Sequence, residues 1–321
     1  MEQASPSALI VQPRTALRRI RLRIAVLSCA LALLGLTGWP SAQAEGQVVR
    51  ATRQNPPPAQ PGHNILAVQQ AVWHQKVDSL APQRPGLIDV YGLVFSPFAD
   101  GDVFLRESSM VAALLAERFD ARGRVVHLAN HPTTVSTHPW ATPLNLERAV
   151  DAMAARMDRD HDLLVVYLTS HGARDFRLAA ANGAMPAEPL SPVDLRRILD
   201  KSGIRNRVLI VSACYSGGWV APLAGNATLV MTAADADHSS YGCGKRSELT
   251  FFGRAVFHEQ LRTTRSFEKA FAQAVPLIRE REIAAGKSDG FSNPQISVGD
   301  KIRPVLQSLE QRLEGAGEPG G

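Results

Sequence analysis

Two short segments of the chain carry residue types suited to acyl transfer. The first runs Val166-Tyr167-Leu168-Thr169-Ser170 into His171-Gly172, and the second runs Ile210-Val211-Ser212-Ala213 into Cys214-Tyr215-Ser216-Gly217-Gly218. A histidine beside a cysteine can lower the thiol pKa and later protonate the leaving group. Gly172 permits close backbone approach, and its N–H together with that of Cys214 could bind a developing oxyanion. Each residue alone has a blander reading: a cysteine at a strand end is a small buried hydrophobe, and a lone histidine is a satisfied surface residue. It is their joint placement that favours catalysis.

That placement follows from the elements between and before them. Leu163–Ser170 and Val208–Ala213 are unbroken runs dominated by aliphatic and β-branched residues, the pattern of strands buried on both faces of a parallel sheet. Between them lies a punctuated helix, with Ser191 as N-cap, Pro192 at the first helical position, Asp194 in the first turn and Gly203 past the end. Strand, crossover helix and strand form one βαβ unit, so both strands point the same way. His171 and Cys214 then emerge side by side at the edge where open parallel sheets place their ligands.

These two segments resemble the histidine and cysteine motifs of the legumain-like cysteine peptidases, family C13 in the clan of caspase-like folds, in its bacterial type; members include asparaginyl endopeptidases and a transamidase. A third block, Thr232-Ala233-Ala234-Asp235-Ala236-Asp237-His238-Ser239-Ser240-Tyr241-Gly242-Cys243, is similar to the segment that lines the primary specificity pocket in that family. The resemblance covers about Leu87 to Val298. It implies a caspase-like three-layer α/β/α sandwich with a mostly parallel sheet, and a cysteine endopeptidase in which Cys214 attacks, His171 relays protons, and Gly172 with Cys214 forms the oxyanion site. A transpeptidase using the same dyad is the alternative from the same chemistry, and a non-catalytic binding module that keeps the fold is the alternative from another class.

The resemblance also implies a substrate pocket. Arg106 takes the place of the family's arginine after the first strand, and Ser239 and Ser240 match its serines. Arg254 stands where the family has an acid. Two guanidinium groups without a matching acid would favour an acidic side chain over asparagine. No clear match exists for the asparagine that orients the catalytic histidine, and Asp102 is the nearest polar candidate.

The rest of the chain sets limits. With 321 residues, 45% of them apolar and 20% charged, an ordinary globular core is affordable, and the net charge of +5 does not argue for nucleic acid. Residues 1–44 read as a secretory signal: five arginines from Arg14 to Arg23, an apolar run from Ile24 to Leu36, and Ala42-Gln43-Ala44 before the expected cut. A periplasmic or secreted protein is expected, or a membrane-anchored one if that segment stays uncleaved, with peptide or protein as its substrate and the oligomeric state open. Removing the signal takes Cys29 and leaves Cys214 and Cys243, an even pair that would be a disulfide in an oxidising compartment; the motif around Cys214 favours a free thiol. Residues 45–85, rich in Pro, Gln and Ala, read as a spacer with a short helix near Val68–Val77, residues 86–305 as the peptidase domain, and residues 306–321 as a flexible tail. His131 and His138 read as solvated loop residues. No cysteine pairs sit at zinc spacing and no phosphate-binding glycine loop appears, so neither metal nor cofactor is expected.

Overall fold

Unbroken apolar strands need cover on both faces, and the fold supplies it with two helical layers. The structure is a computed structural model that describes residues 61–315 except 184, 288 and 289. Its elements in chain order are α1 (Pro61–Asp78), β1 (Val90–Ser96), α2 (Asp102–Arg118), β2 (Val125–Ala129), α3 (Pro143–Ala154), β3 (Leu163–Thr169), α4 (Pro192–Ser202), β4 (Asn206–Ser212), α5 (Val220–Leu223), β5 (Thr228–Thr232), α6 (Phe251–Gly253), α7 (Phe267–Ala284), β6 (Gln295–Val298) and α8 (Ile302–Gly315). α6 runs on through a π-helical turn, Arg254–Glu259, and a short 3-10 turn.

The six strands form one sheet in the order β2-β1-β3-β4-β5-β6. β1 to β5 are parallel, and β6 closes the edge antiparallel to β5. Side chains alternate along each strand, so successive residues go to opposite layers. Leu164, Val166 and Leu168 of β3 pack with Trp73 of α1, Leu146 and Val150 of α3, and Leu195 and Ile198 of α4. Leu163, Val165 and Tyr167 of the same strand pack instead with Val111 and Leu115 of α2, Phe271 of α7 and Leu309 of α8. This is the three-layer α/β/α sandwich with a mostly parallel sheet that the resemblance implies.

The punctuation of α4 holds. The Ser191 hydroxyl accepts the Asp194 N–H at 3.2 Å while the Asp194 carboxylate accepts the Ser191 N–H at 3.3 Å, a complete capping box.

Two boundaries need correction. Residues 61–85 are not spacer: α1 occupies eighteen of them, Val72, Trp73 and Leu80 are buried, and the Gln69 side chain donates to Val135 O at 2.5 Å and accepts the Trp140 N–H at 2.8 Å. Residues 306–315 are not a free tail either, because Leu309 and Leu313 bury one face of α8 against the sheet. The expected signal segment, the first part of the spacer and residues 316–321 lie outside the described residues.

Candidate active site

Parallel pairing of β3 with β4 runs to Thr169 opposite Ser212. Two residues beyond that last pair along each chain stand His171 and Cys214. The strand ends press together there. A Cβ added to Gly172 would lie 2.0 Å from the Cys214 carbonyl oxygen and 3.1 Å from its nitrogen, so only glycine allows this approach. Beyond Cys214 the chain turns sharply through Tyr215, a non-glycine residue at φ 56°. The left-handed region costs such a residue about 1–2 kcal/mol, and the turn is held by the Tyr215 N–H donating to His238 O at 2.9 Å.

The His171 ring stands between two aromatic edges. Phe98, from the loop after β1, and Phe104, in the first turn of α2, meet it at centroid distances of 4.8 and 4.9 Å, both T-shaped. Burial pushes the His171 pKa down from the usual histidine value, so the ring is neutral and able to accept a proton. Among the described residues it has no hydrogen-bond partner. Asp102, the expected orienting candidate, does not reach it: its carboxylate pairs with His131 Nε2 at 3.0 Å and with Arg106 at 3.4 Å. The His131 contact, followed by Arg106, holds the Asp102 carboxyl below the usual range. His131 is accordingly no solvated loop residue, and His138 packs edge-on to His127 at 4.6 Å.

The Cys214 thiol is clamped by the pocket segment. Its sulfur accepts the Ser240 N–H at 3.3 Å and its hydrogen is directed to the Ser240 carbonyl at 3.4 Å. Cys214 and Cys243 are both free thiols. Burial, then the nearness of Cys214, pushes the Cys243 thiol up.

Arg106 and Arg254 converge on one short loop. Arg106 donates to Ser247 O at 2.7 Å and to Glu248 O at 3.3 Å, and Arg254 pairs with the Glu248 carboxylate at 3.1 Å. The expectation of two arginines without an acid is therefore corrected: Glu248 is the acid, and it is 80% exposed. Ser240 is buried against the thiol, and Ser239 beside it is half-buried.

Sequence reasoning also passed over Glu107, which is fully buried behind the two strand ends. The signal was its spacing: it lies three residues after Phe104 and four before Val111, on the apolar stripe of α2. Among the described residues no cluster of three or more His, Cys, Asp or Glu side chains could hold a metal ion.

Residues 147–298 match the model of the Peptidase C13 family. A solved structure titled "structure of pro-sf-caspase-1" is similar at 12% identity and a TM-score of 0.44, covering 66% of this chain and 91% of that chain. No curated protein matches.

Proposed function

With residues 147–298 carrying the Peptidase C13 pattern, we propose that this protein is a cysteine endopeptidase working through His171 and Cys214. Cys214 Sγ attacks the scissile carbonyl carbon while its proton passes to the neutral His171 ring. The same proton then goes to the leaving amine as the C–N bond breaks, leaving a thioester on Cys214. Water resolves the thioester, with His171 again taking a proton. The N–H groups of Gly172 and Cys214 are the proposed oxyanion donors. Arg106, Ser239, Ser240 and Arg254 are the proposed substrate-binding residues, with Glu248 between the two arginines.

One observation carries this reading: the histidine and the cysteine each stand two residues beyond the last register pair of adjacent parallel strands, with Gly172 against the Cys214 backbone. The Ser240 clamp is its resting complement. Attack requires the thiol to turn from the Ser240 carbonyl toward the imidazole, a rotation about one side-chain bond. We place the protein outside the cytoplasm, delivered by residues 1–44.

The test is cleavage of a peptide library by the wild type, Cys214→Ala and His171→Ala, with thermal unfolding recorded on each. Cleavage by the wild type alone, at matched stability, is the expected result. Full activity in Cys214→Ala overturns the mechanism. Product analysis with an added amine separates hydrolysis from transpeptidation, since an amine that captures the acyl group gives a ligated product.

A further inference from the structure

Glu107 makes four hydrogen bonds from a fully buried position on α2. One carboxylate oxygen accepts the Tyr167 hydroxyl at 2.5 Å, the Thr169 hydroxyl at 2.9 Å and the Ser212 hydroxyl at 2.9 Å. The other accepts the Thr250 N–H at 2.8 Å. Thr250 caps α6 by accepting the Gly253 N–H at 2.8 Å. A Cβ at Gly253 would lie 2.1 Å from the Glu107 oxygen, so glycine lets α6 settle directly on the carboxylate.

The partners are not scattered. Alternation along a strand places Tyr167 and Thr169 on one face of β3, and Ile210 and Ser212 on the matching face of β4. Thr169 and Ser212 are register partners. A single oxygen of Glu107 therefore ties together the last register pair of the two strands, two residues before His171 and Cys214. A buried carboxylate costs several kcal/mol unless its lone pairs are filled, and packing alone would be served as well by an apolar side chain. An acid here, with donors drawn from β3, β4 and the Thr250 segment, does what an apolar residue cannot: it holds three separate chain segments at fixed mutual distances.

We infer that Glu107 is a positioning residue, setting the separation of the strand ends that present His171 and Cys214 and anchoring to them the segment whose Ser240 holds the thiol. This rests on the cysteine peptidase reading. Displacement of reacting groups by about 1 Å typically costs on the order of 10²-fold in rate, so the loss falls on kcat rather than on KM.

The experiment compares Glu107→Gln, the double variant Thr169→Val/Ser212→Ala, and all three substitutions combined. Expected are a kcat reduced about ten- to a hundredfold in the first two, a KM within about twofold, folded protein by thermal unfolding, and no more than about twofold further loss on combination, because both changes cut the same link. A kcat within twofold of wild type in the folded double variant overturns the inference, as do losses that multiply. Alkylation of Cys214 by iodoacetamide in a Cys243→Ser background gives an arm independent of turnover. His171→Ala should slow alkylation in the parent and have no effect once Glu107→Gln is present; equal slowing in both overturns the inference. A wild type that cleaves no peptide contradicts the peptidase reading alone, and the alkylation arm still decides the role of Glu107.

Discussion

Adding one methyl group at Gly172 is the sharpest perturbation of the proposed site. The new Cβ would meet the Cys214 carbonyl oxygen at 2.0 Å and its carbon at 2.9 Å. Real Cβ contacts stay above 3.0 Å, so the strand ends must part by about 1 Å. Both partners are backbone, so no side chain can swing away to relieve the contact. Overpacking of this kind costs about 1–3 kcal/mol, which lowers Tm by roughly 2–10 °C for a domain of this size. A parting of that size also moves the thiol away from the imidazole, and it predicts a kcat loss on the order of 10²-fold. Gly225→Ala is the control, because its Cβ would meet only the Thr228 side chain, at ordinary distances of 3.5 and 4.0 Å. The assay is peptide hydrolysis under saturating substrate, with a melt of each protein. A Gly172→Ala protein that is folded and turns over within threefold of wild type would refute the claim that this contact sets the dyad.

Three further outcomes follow from the site and its surroundings. His127 bonds to Ser108 at 2.9 Å, and burial, followed by the nearness of His138, lowers its pKa to about 3. The unfolded chain takes up that proton below about pH 6.5 while the folded one does not, so stability falls with pH through the window from 6.5 to 3. The loss is up to about 2 kcal/mol between pH 7 and 5, and urea titrations at the two pH values should show it flattened in His127→Gln; an unchanged slope would contradict the burial account. Glu248→Gln should release Arg254 and raise kcat/KM for aspartate-bearing over asparagine-bearing peptides by a few-fold, the scale of an exposed ion pair; an unchanged ratio would put Arg254 outside the pocket. Intact mass of the exported protein should correspond to a chain beginning at Glu45, and a chain still carrying Ile24–Leu36 would indicate an anchored form instead.

The central fold was legible because it depends on local signals that agree. The runs at β3 and β4 could be buried only in a covered parallel sheet, and Ser191, Pro192, Asp194 and Gly203 marked a helix between them without reference to anything distant. What escaped depended on partners far away in sequence. The α1 segment lies within a stretch rich in Pro, Gln and Ala, and its helix is stabilised by Val72 and Trp73, which are buried, a contribution that composition understates. Leu309 and Leu313 sat at helical spacing in a stretch read as tail. Glu107 is a lone acid in a helix, ordinarily a solvent-facing residue, and its partners lie 60 to 143 residues away. Asp102 was offered for His171 as the polar residue nearest the family's asparagine position, whereas the loop after β2 brings His131 to it.

The Cys214 acyl-enzyme is the claim on which the rest depends, and it can be weighed directly. A peptide carrying an electrophilic carbonyl replacement is incubated with the wild type, digested, and the adduct mapped by mass spectrometry. The account predicts one equivalent of label on the peptide containing Cys214, formed much more slowly in His171→Ala. Label confined to Cys243, or equal labelling of Cys214 with and without His171, would contradict it.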